Sequence, residues 1–252
     1  MTDFVLKIDD SLATISMSGH PLNTLTTEAL ASFRQRLHMV AADSRVKVVL
    51  LKSDAEQVFS TGMDPKFGLS QDQAGRERLF AELMGLLDDY DRFSIPIVTD
   101  INGPALAGGA VLAMMSQFSI AHGERAKLCF SEVKVNLPVP APIFQLLRRR
   151  VPQPIVNDMI LLGKNLGPAE LELSGAVSAL YYDDEQREAV LKQLIGRILR
   201  LDKAVLSRTL ATAKQEIPLR IDRFLEVADK EFHPYLSDSY LVKGLNDVLG
   251  RM

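Results

Sequence analysis

Two adjacent glycines, Gly108 and Gly109, stand where the apolar run Ile95-Pro-Ile-Val-Thr99 and the turn Asn102-Gly-Pro-Ala-Leu-Ala107 give way to Ala110-Val-Leu-Ala-Met-Met115, which reads as a short apolar helix. The first amides of a helix have no partner inside it and point outward, with the positive end of the dipole behind them. Such amides can stabilise a carbonyl oxygen that becomes negative during a reaction. Glycines at a strand-to-helix turn also serve plain close packing, so this chemistry requires a second, independent donor. Phe59-Ser-Thr-Gly-Met-Asp64 supplies one: it follows the strand-like Val46-Lys-Val-Val-Leu-Leu51 and contains a glycine and an aspartate that mark an amide-exposing turn. Two preorganised donors converging on one oxygen are worth most where water is excluded. The candidates are the Met63 and Gly108 N–H groups.

Leu22-Asn-Thr-Leu25 adds a third segment, and the order and spacing of the three resemble the crotonase, or enoyl-CoA hydratase/isomerase, superfamily over nearly the whole chain. The resemblance implies an α/β fold, the crotonase (ClpP-like) spiral of β-β-α units. Residues 1–190 would form the core with its acyl-CoA site, and residues 191–252 a helical C-terminal oligomerisation region. It also implies an acyl-CoA or carrier-bound thioester whose carbonyl lies between the Met63 and Gly108 amides, so that an enolate can form. Asp64, Lys66, Gly109, Val111, Leu137 and Pro138 would surround the substrate. No cofactor is expected, coenzyme A being part of the substrate, and the expected assembly is a homotrimer or a dimer of trimers.

Within the superfamily the reaction is chosen by acidic side chains, which must be read at their own positions. Hydratases of the family carry a glutamate two positions beyond the second glycine, where this chain has Val111. A second family glutamate, in a proline–glutamate pair further on, is matched by Glu132 in Phe130-Ser-Glu-Val-Lys-Val-Asn-Leu-Pro138, with Ser131 in place of the proline. Adding water to a double bond asks for one group to deprotonate the water and another to manage the proton at carbon two. A valine can do neither. Moving a double bond asks only that a proton leave carbon two and return at carbon four, which one carboxylate can accomplish. The pattern therefore resembles the enoyl-CoA isomerases of the family, with Glu132 as the catalytic proton shuttle. A lone glutamate near Lys134 would ordinarily be solvated or ion-paired; the apolar neighbours Phe130, Val133, Leu137 and Val111 predict desolvation and a raised pKa instead. Other crotonase reactions, namely hydratase, acyl-thioester decarboxylase or hydrolase, and a non-catalytic acyl-CoA-binding homologue stay open.

Several elements must position these groups. Phe4–Ile8 and Leu12–Ser16 alternate around Asp9-Asp10-Ser11 and predict an opening hairpin. Thr26 caps a helix whose Leu30, Phe33 and Leu37 recur at helical spacing, and the strand from Val46 follows. Residues 67–74 read as a polar, mobile segment ahead of a helix with Phe80, Leu83, Met84 and Leu87 on one stripe. The prolines Pro138, Pro140 and Pro142 make a rigid loop before a helix over 143–150, a second helix covers 154–162, and Gly175 reads as a helix C-cap. From Asp184 the chain turns almost wholly helical, with stripes at Leu191, Leu194, Ile195 and Ile198 and at Phe224, Leu225, Ala228 and Phe232 that demand a core or a partner.

Composition narrows the classes. The chain has 252 residues, 29 basic and 32 acidic, with a formal net charge of −3, so no global field draws it to nucleic acid or an anionic membrane. Arg148-Arg149-Arg150, the one dense basic run, reads as a solvated helix end rather than a contact for a CoA phosphate or a neighbouring subunit. The single cysteine, Cys129, excludes an internal disulfide and reads as a buried, inert thiol. Four scattered histidines give no metal-ligand spacing, and no metal is assigned. No signal pattern, membrane-length apolar run, phosphate loop, dinucleotide fingerprint or serine elbow occurs, and a cytoplasmic location is expected.

Overall fold

The computed structural model describes residues 1–250. The chain opens with β1 (Asp3–Asp9) and β2 (Leu12–Ser18), antiparallel partners as the alternation predicts. It continues through β3 (Thr24–Leu25), α1 (Thr27–Ala42), β4 (Val48–Ser53), β5 (Gly62–Met63), α2 (Pro65–Ser70), α3 (Gln73–Arg92), β6 (Ile97–Ile101), β7 (Pro104–Leu106) and α4 (Gly108–Met114). Next come β8 (Phe118–His122), β9 (Lys127–Cys129), a 3-10 turn (Glu132–Val135), α5 (Ala141–Arg148), α6 (Gln153–Leu161), α7 (Pro168–Leu173) and β10 (Ala179–Tyr181). The end is helical: α8 (Asp184–Leu199), α9 (Lys203–Glu216), α10 (Ile221–Glu231), a 3-10 turn (His233–Leu236), a π-helical turn (Asp238–Val242) and α11 (Lys243–Leu249).

Two layers of strand alternate along the chain. The first layer is a six-stranded sheet in the order β1-β2-β4-β6-β8-β10, parallel beyond the first pair. After each of β2, β4, β6 and β8 the chain turns a corner into a short second-layer strand, pairing β3 with β5 and β7 with β9. Bridges between Ser60 and Ala105 and between Leu128 and Leu166 join these pairs into one ribbon. This is the expected β-β-α winding. β4 and β6 are buried on both faces, which is why they read as continuous apolar runs rather than alternating ones.

Local chemistry fixes the helices. Thr26 accepts the Ala29 N–H and starts α1, whose buried Ala29, Leu30, Phe33, Leu37 and Val40 form one stripe, with Phe33 stacked on Phe4 at 4.5 Å. Residues 67–70, read as the start of a mobile segment, belong instead to the helix α2: Asp64 accepts the Lys66 and Phe67 N–H groups and Pro65 presets the first turn. Gly175, with φ +76, follows α7 as expected of a helix end. The arginine run is not a solvated end: Arg148 is exposed, but Arg149 and Arg150 turn inward to main-chain carbonyls.

One large apolar cluster holds both strand layers with α1, α3 and α4, and it also takes in Leu219, Ile221, Ala228, Phe232, Leu236, Leu241 and Leu245 from the C-terminal region. A second cluster packs Leu191, Ile195 and Ile198 of α8 on Val48, Leu50, Val98 and Ile120 of the sheet. Residue 190, the boundary expected from sequence, lies inside α8, and residues 251–252 lie outside the described part. Leu225, assigned to a buried stripe, is half exposed. Among the described residues no helix is long and apolar enough to cross a membrane.

Candidate active site

β5 and the start of α4 meet closely. A β-carbon built on Gly108 would lie 3.8 Å from the Met63 nitrogen and 3.7 Å from the Gly62 Cα. In the β3–β5 ladder, Leu25 faces Met63 and the Asp64 N–H donates to the Leu25 carbonyl at 3.4 Å. In a parallel pair that bond sends the intervening Met63 N–H to the opposite edge, toward α4. On α4 the first intrahelical bond runs from the Val111 N–H to the Ala107 carbonyl, so the amides of Gly108, Gly109 and Ala110 precede the helical ladder. The two amides read from sequence are thus brought together.

The juxtaposition depends on backbone shapes that sequence marks only in part. Gly62 has φ +77, and a β-carbon there would sit 2.5 Å from the Leu106 carbonyl. Gly109 faces the Ser60 carbonyl so closely that no side chain fits, which makes it a packing glycine. Ala107, with φ 47 and ψ −120, occupies a region that glycine normally fills and carries the strain of turning β7 into α4. Its N–H donates to the Cys129 carbonyl at 2.7 Å, tying the start of α4 to the strand that leads into Glu132.

A polar buttress stands behind β5. Fully buried Asn23 donates from Nδ2 to Ser53 Oγ at 2.8 Å and to the Phe59 carbonyl at 3.0 Å. The Ser60 hydroxyl donates to the Asn23 carbonyl at 2.7 Å and accepts the Gly62 N–H at 3.2 Å. Asn23 and Ser60 are each legible in the sequence only as part of a longer motif. Each follows an apolar residue and precedes a threonine, which gives no sign of these partners.

Glu132 begins the 3-10 turn after β9. It is 8% exposed, its Oε2 has no hydrogen-bond partner, and burial pushes its pKa up to about 7. The expected desolvation is therefore present. Lys134 does not neutralise it, because its ammonium donates to the Gly163 carbonyl at 2.5 Å. Val111 is fully buried in α4. Cys129 is buried, and burial pushes its thiol pKa up, as befits an unreactive core residue.

The remaining predicted substrate residues divide. Leu137 and Pro138 are partly exposed just beyond the Glu132 turn, and Lys66 is exposed on α2. The Asp64 carboxylate is occupied in capping α2 and Gly109 in packing, which gives both a structural role. The site is closed on one side by α11: Leu245 lies 3.5 Å from the position of a β-carbon on Gly68 of α2, and Gly244 packs on the Val135 carbonyl. Arg76, 4% exposed, holds that closure by donating to the Gln71 and Leu236 carbonyls and to Asp238 Oδ1, each at 2.6 Å. These anchors were not read from sequence. A cavity of about 600 Å³ lies elsewhere, at the carboxyl ends of β4, β6, β8 and β10, and includes none of Met63, Gly108 and Glu132. The paired amides and the desolvated acid lie instead at and just beyond the carboxyl ends of the second-layer strands β5, β7 and β9. Among the described residues no cluster of His, Cys, Asp or Glu fit to hold a metal occurs.

Comparison with known proteins identifies the fold and the family. The peroxisomal bifunctional enzyme of Homo sapiens is 29% identical over 185 residues, covering 73% of this chain and 24% of that one. The chain thus spans about a quarter of that relative's length. A putative enoyl-CoA hydratase of Thermus thermophilus is 30% identical over 161 residues, 63% of this chain and 62% of that one. Among solved structures, human mitochondrial delta3-delta2-enoyl-CoA isomerase shares the fold with a TM-score of 0.88 at 21% identity, covering 98% and 97% of the two chains. An enoyl-CoA hydratase from Bacillus halodurans does so with a TM-score of 0.87 at 17% identity, covering 97% and 99%. The family model for enoyl-CoA hydratase/isomerase matches residues 7–245, a span that contains both amide-bearing segments and the Glu132 turn, and the chain belongs to that family.

Proposed function

We propose that the protein is an acyl-CoA enzyme that isomerises 3-enoyl-CoA to 2-enoyl-CoA. The observation that carries this reading is the single desolvated carboxylate of Glu132, poised near neutrality, in a site where the other acidic position is the buried Val111. The thioester oxygen sits between the Met63 and Gly108 amides. Ionised Glu132 removes a proton from carbon two, the electron pair delocalises through the thioester and the double bond as a dienolate, and the two N–H groups stabilise the negative oxygen. The protonated carboxyl then returns its proton to carbon four, and the double bond ends between carbons two and three. One carboxyl near pKa 7 serves both steps, because it is neither too weak a base nor too weak an acid at neutral pH.

Family membership equally admits hydration, and the Thermus thermophilus relative carries a hydratase name. The site as built offers one acid where hydration asks for two. Purified protein incubated separately with 3-enoyl-CoA and 2-enoyl-CoA of several chain lengths decides between them. Isomerisation without accumulation of 3-hydroxyacyl-CoA supports the proposal. Hydration at comparable rate overturns it, and tight binding without turnover favours a binding protein. The same reading carries assembly as a homotrimer or dimer of trimers, for which exposed Leu161, Leu162, Leu173 and Val205 offer apolar surface, and sedimentation equilibrium tests it.

A further inference from the structure

Arg149, Arg150 and Lys214 converge on a cavity of about 310 Å³ whose lining includes none of Met63, Gly108 and Glu132. It opens between the end of α3, the corner from α4 to β8, the end of α5, the loop from α7 to β10 and the last turns of α9. The side chains of Gln117 and Ser178 also line it.

The three cations are only partly satisfied. Arg150 donates from Nη1 to the Ser116 carbonyl at 2.7 Å and from Nη2 to the Ala176 carbonyl at 2.7 Å and Ser119 Oγ at 3.1 Å, but its buried Nε has no partner. The Arg149 side chain is 10% exposed; Nε donates to the Ile217 carbonyl, Nη2 to Asp91, and the buried Nη1 has no partner. Lys214, 6% exposed, donates to the Phe93 and Tyr90 carbonyls and lies 4.0 Å over the Tyr90 ring. Two acceptors leave one of its three N–H groups over.

Charge is unbalanced in the same sense. Asp91 pairs with Arg149, while among the described residues no carboxylate pairs with Arg150 or Lys214. Glu216, on the rim, is exposed. The carbonyls at the ends of α3 and α9 offset part of the excess through their partial negative charge. Desolvation, helped by the Arg149 charge, pushes the Lys214 pKa down to about 7, and desolvation lowers that of Arg150. Buried cations ordinarily have a counter-charge. Here the protein supplies one carboxylate for three cations and leaves two guanidinium nitrogens and one ammonium N–H group without a partner.

We propose that this cavity binds a small phosphate-class oxyanion, free or as the terminal group of a phosphomonoester, held by Arg149, Arg150 and Lys214. The bound anion would tie α9 to the ends of α3 and α5, and so join the C-terminal helices to the core.

The test uses the whole protein near pH 6, where Lys214 is charged, and compares inorganic phosphate with chloride at equal ionic strength by thermal melting and titration calorimetry. Phosphate should bind saturably and raise Tm by about 5 °C at a hundredfold excess over Kd. Arg150→Lys should weaken binding about tenfold, because the planar fork is lost while the charge stays. Glu216→Gln, an exposed change that leaves the fold intact, should tighten it about threefold by removing the like charge at the rim. Glycerol phosphate separates the two sources: binding at similar affinity marks a phosphomonoester site, and binding of phosphate alone marks a free-ion site. Equal Tm shifts in phosphate and chloride overturn the proposal, as does a phosphate affinity unchanged in both variants. The cations then serve only as caps on helix carbonyls.

Discussion

A β-carbon on Gly62 would stand 2.8 Å from the amide nitrogen of Gly108, so β5 and the start of α4, which carry the proposed oxyanion donors, touch without room for a methyl group. Gly62 also has φ +77, a conformation costly for any other residue. Gly62→Ala should therefore push β5 away from α4 and separate the two N–H groups. Loss of one aligned donor costs about 10²-fold in kcat or more, and the clash costs about 1–3 kcal/mol of stability. Steady-state kinetics and urea denaturation read both. A variant with kcat near that of the parent would mean that the Met63 amide is not a donor.

Glu132 gives a pH dependence with a definite sign. Turnover needs the ionised carboxylate, so kcat should rise through pH about 7 and level off above it. Stability runs the other way. The folded carboxyl holds its proton more tightly than the unfolded one, because burial raises its pKa from 4.5 to about 7. The cost of ionising it is absent below the unfolded value, grows between the two and is complete above the folded value, where it amounts to about 3 kcal/mol. Glu132→Gln should abolish turnover and make the protein more stable by about 1–3 kcal/mol at pH 8, with almost no gain at pH 4. Turnover within tenfold of the parent would remove Glu132 from the mechanism, and equal stability changes at the two pH values would remove the burial argument.

Gly244 and Val135 tie the C-terminal helix to the catalytic turn. Val135 is the last residue of the turn that Glu132 opens, and its carbonyl occupies the space a side chain on Gly244 would need. Gly244→Ala should lift α11 or shift the turn, destabilising the fold by about 1–3 kcal/mol and lowering kcat more than it raises KM. Arg76→Lys loosens the same closure from the other side by giving up bonds to the Gln71 and Leu236 carbonyls, and it should raise KM while leaving the kcat pH profile centred near 7. A shifted profile in Arg76→Lys would mean that the closure sets the environment of Glu132 directly.

The legible part of the molecule was its local chemistry. Gly62, Gly108 and Glu132 announce themselves because positive φ, unpaired amides and a lone acid among apolar residues each follow from residue type and neighbours. Thr26 and the α1 stripe do so for the same reason. Long-range pairings escaped. Nothing near Arg76 in sequence indicates Leu236 and Asp238, and nothing near Gly244 indicates Val135, because those partners are brought together only when the C-terminal helices return to the core. Arg149 and Arg150 misled in the same way: a run of arginines resembles a solvated end until carbonyls at the termini of other helices arrive to accept from them. Polar residues at 67–74 read as mobile because the capping of α2 by Asp64 and of α3 by Asp72 was given too little weight against their composition.

Asp100 and Arg187 offer a test of the fold that is independent of the proposed chemistry. Asp100 is 1% exposed near the carboxyl end of β6, where a charge is costly, and it persists because Arg187 Nε donates to Oδ2 at 2.5 Å and the Tyr181 hydroxyl to Oδ1 at 2.8 Å. Burial and the neighbouring Asp100 charge push the Tyr181 pKa up, so the hydroxyl remains a donor at any working pH. Arg187 also joins the first turn of α8 to the sheet, and the pair therefore locks the helix against β10 and β6. Arg187→Gln leaves a buried carboxylate with one neutral donor and should cost about 3–5 kcal/mol in urea denaturation, whereas Tyr181→Phe, which removes one hydrogen bond, should cost about 1–3 kcal/mol. Adding Asp100→Asn to Arg187→Gln should recover more than half of the loss, since the second change removes the charge that the first left unpaired. If the double variant is instead as unstable as the sum of its parts, Arg187 contributes through packing of its stem on the sheet rather than through the ion pair.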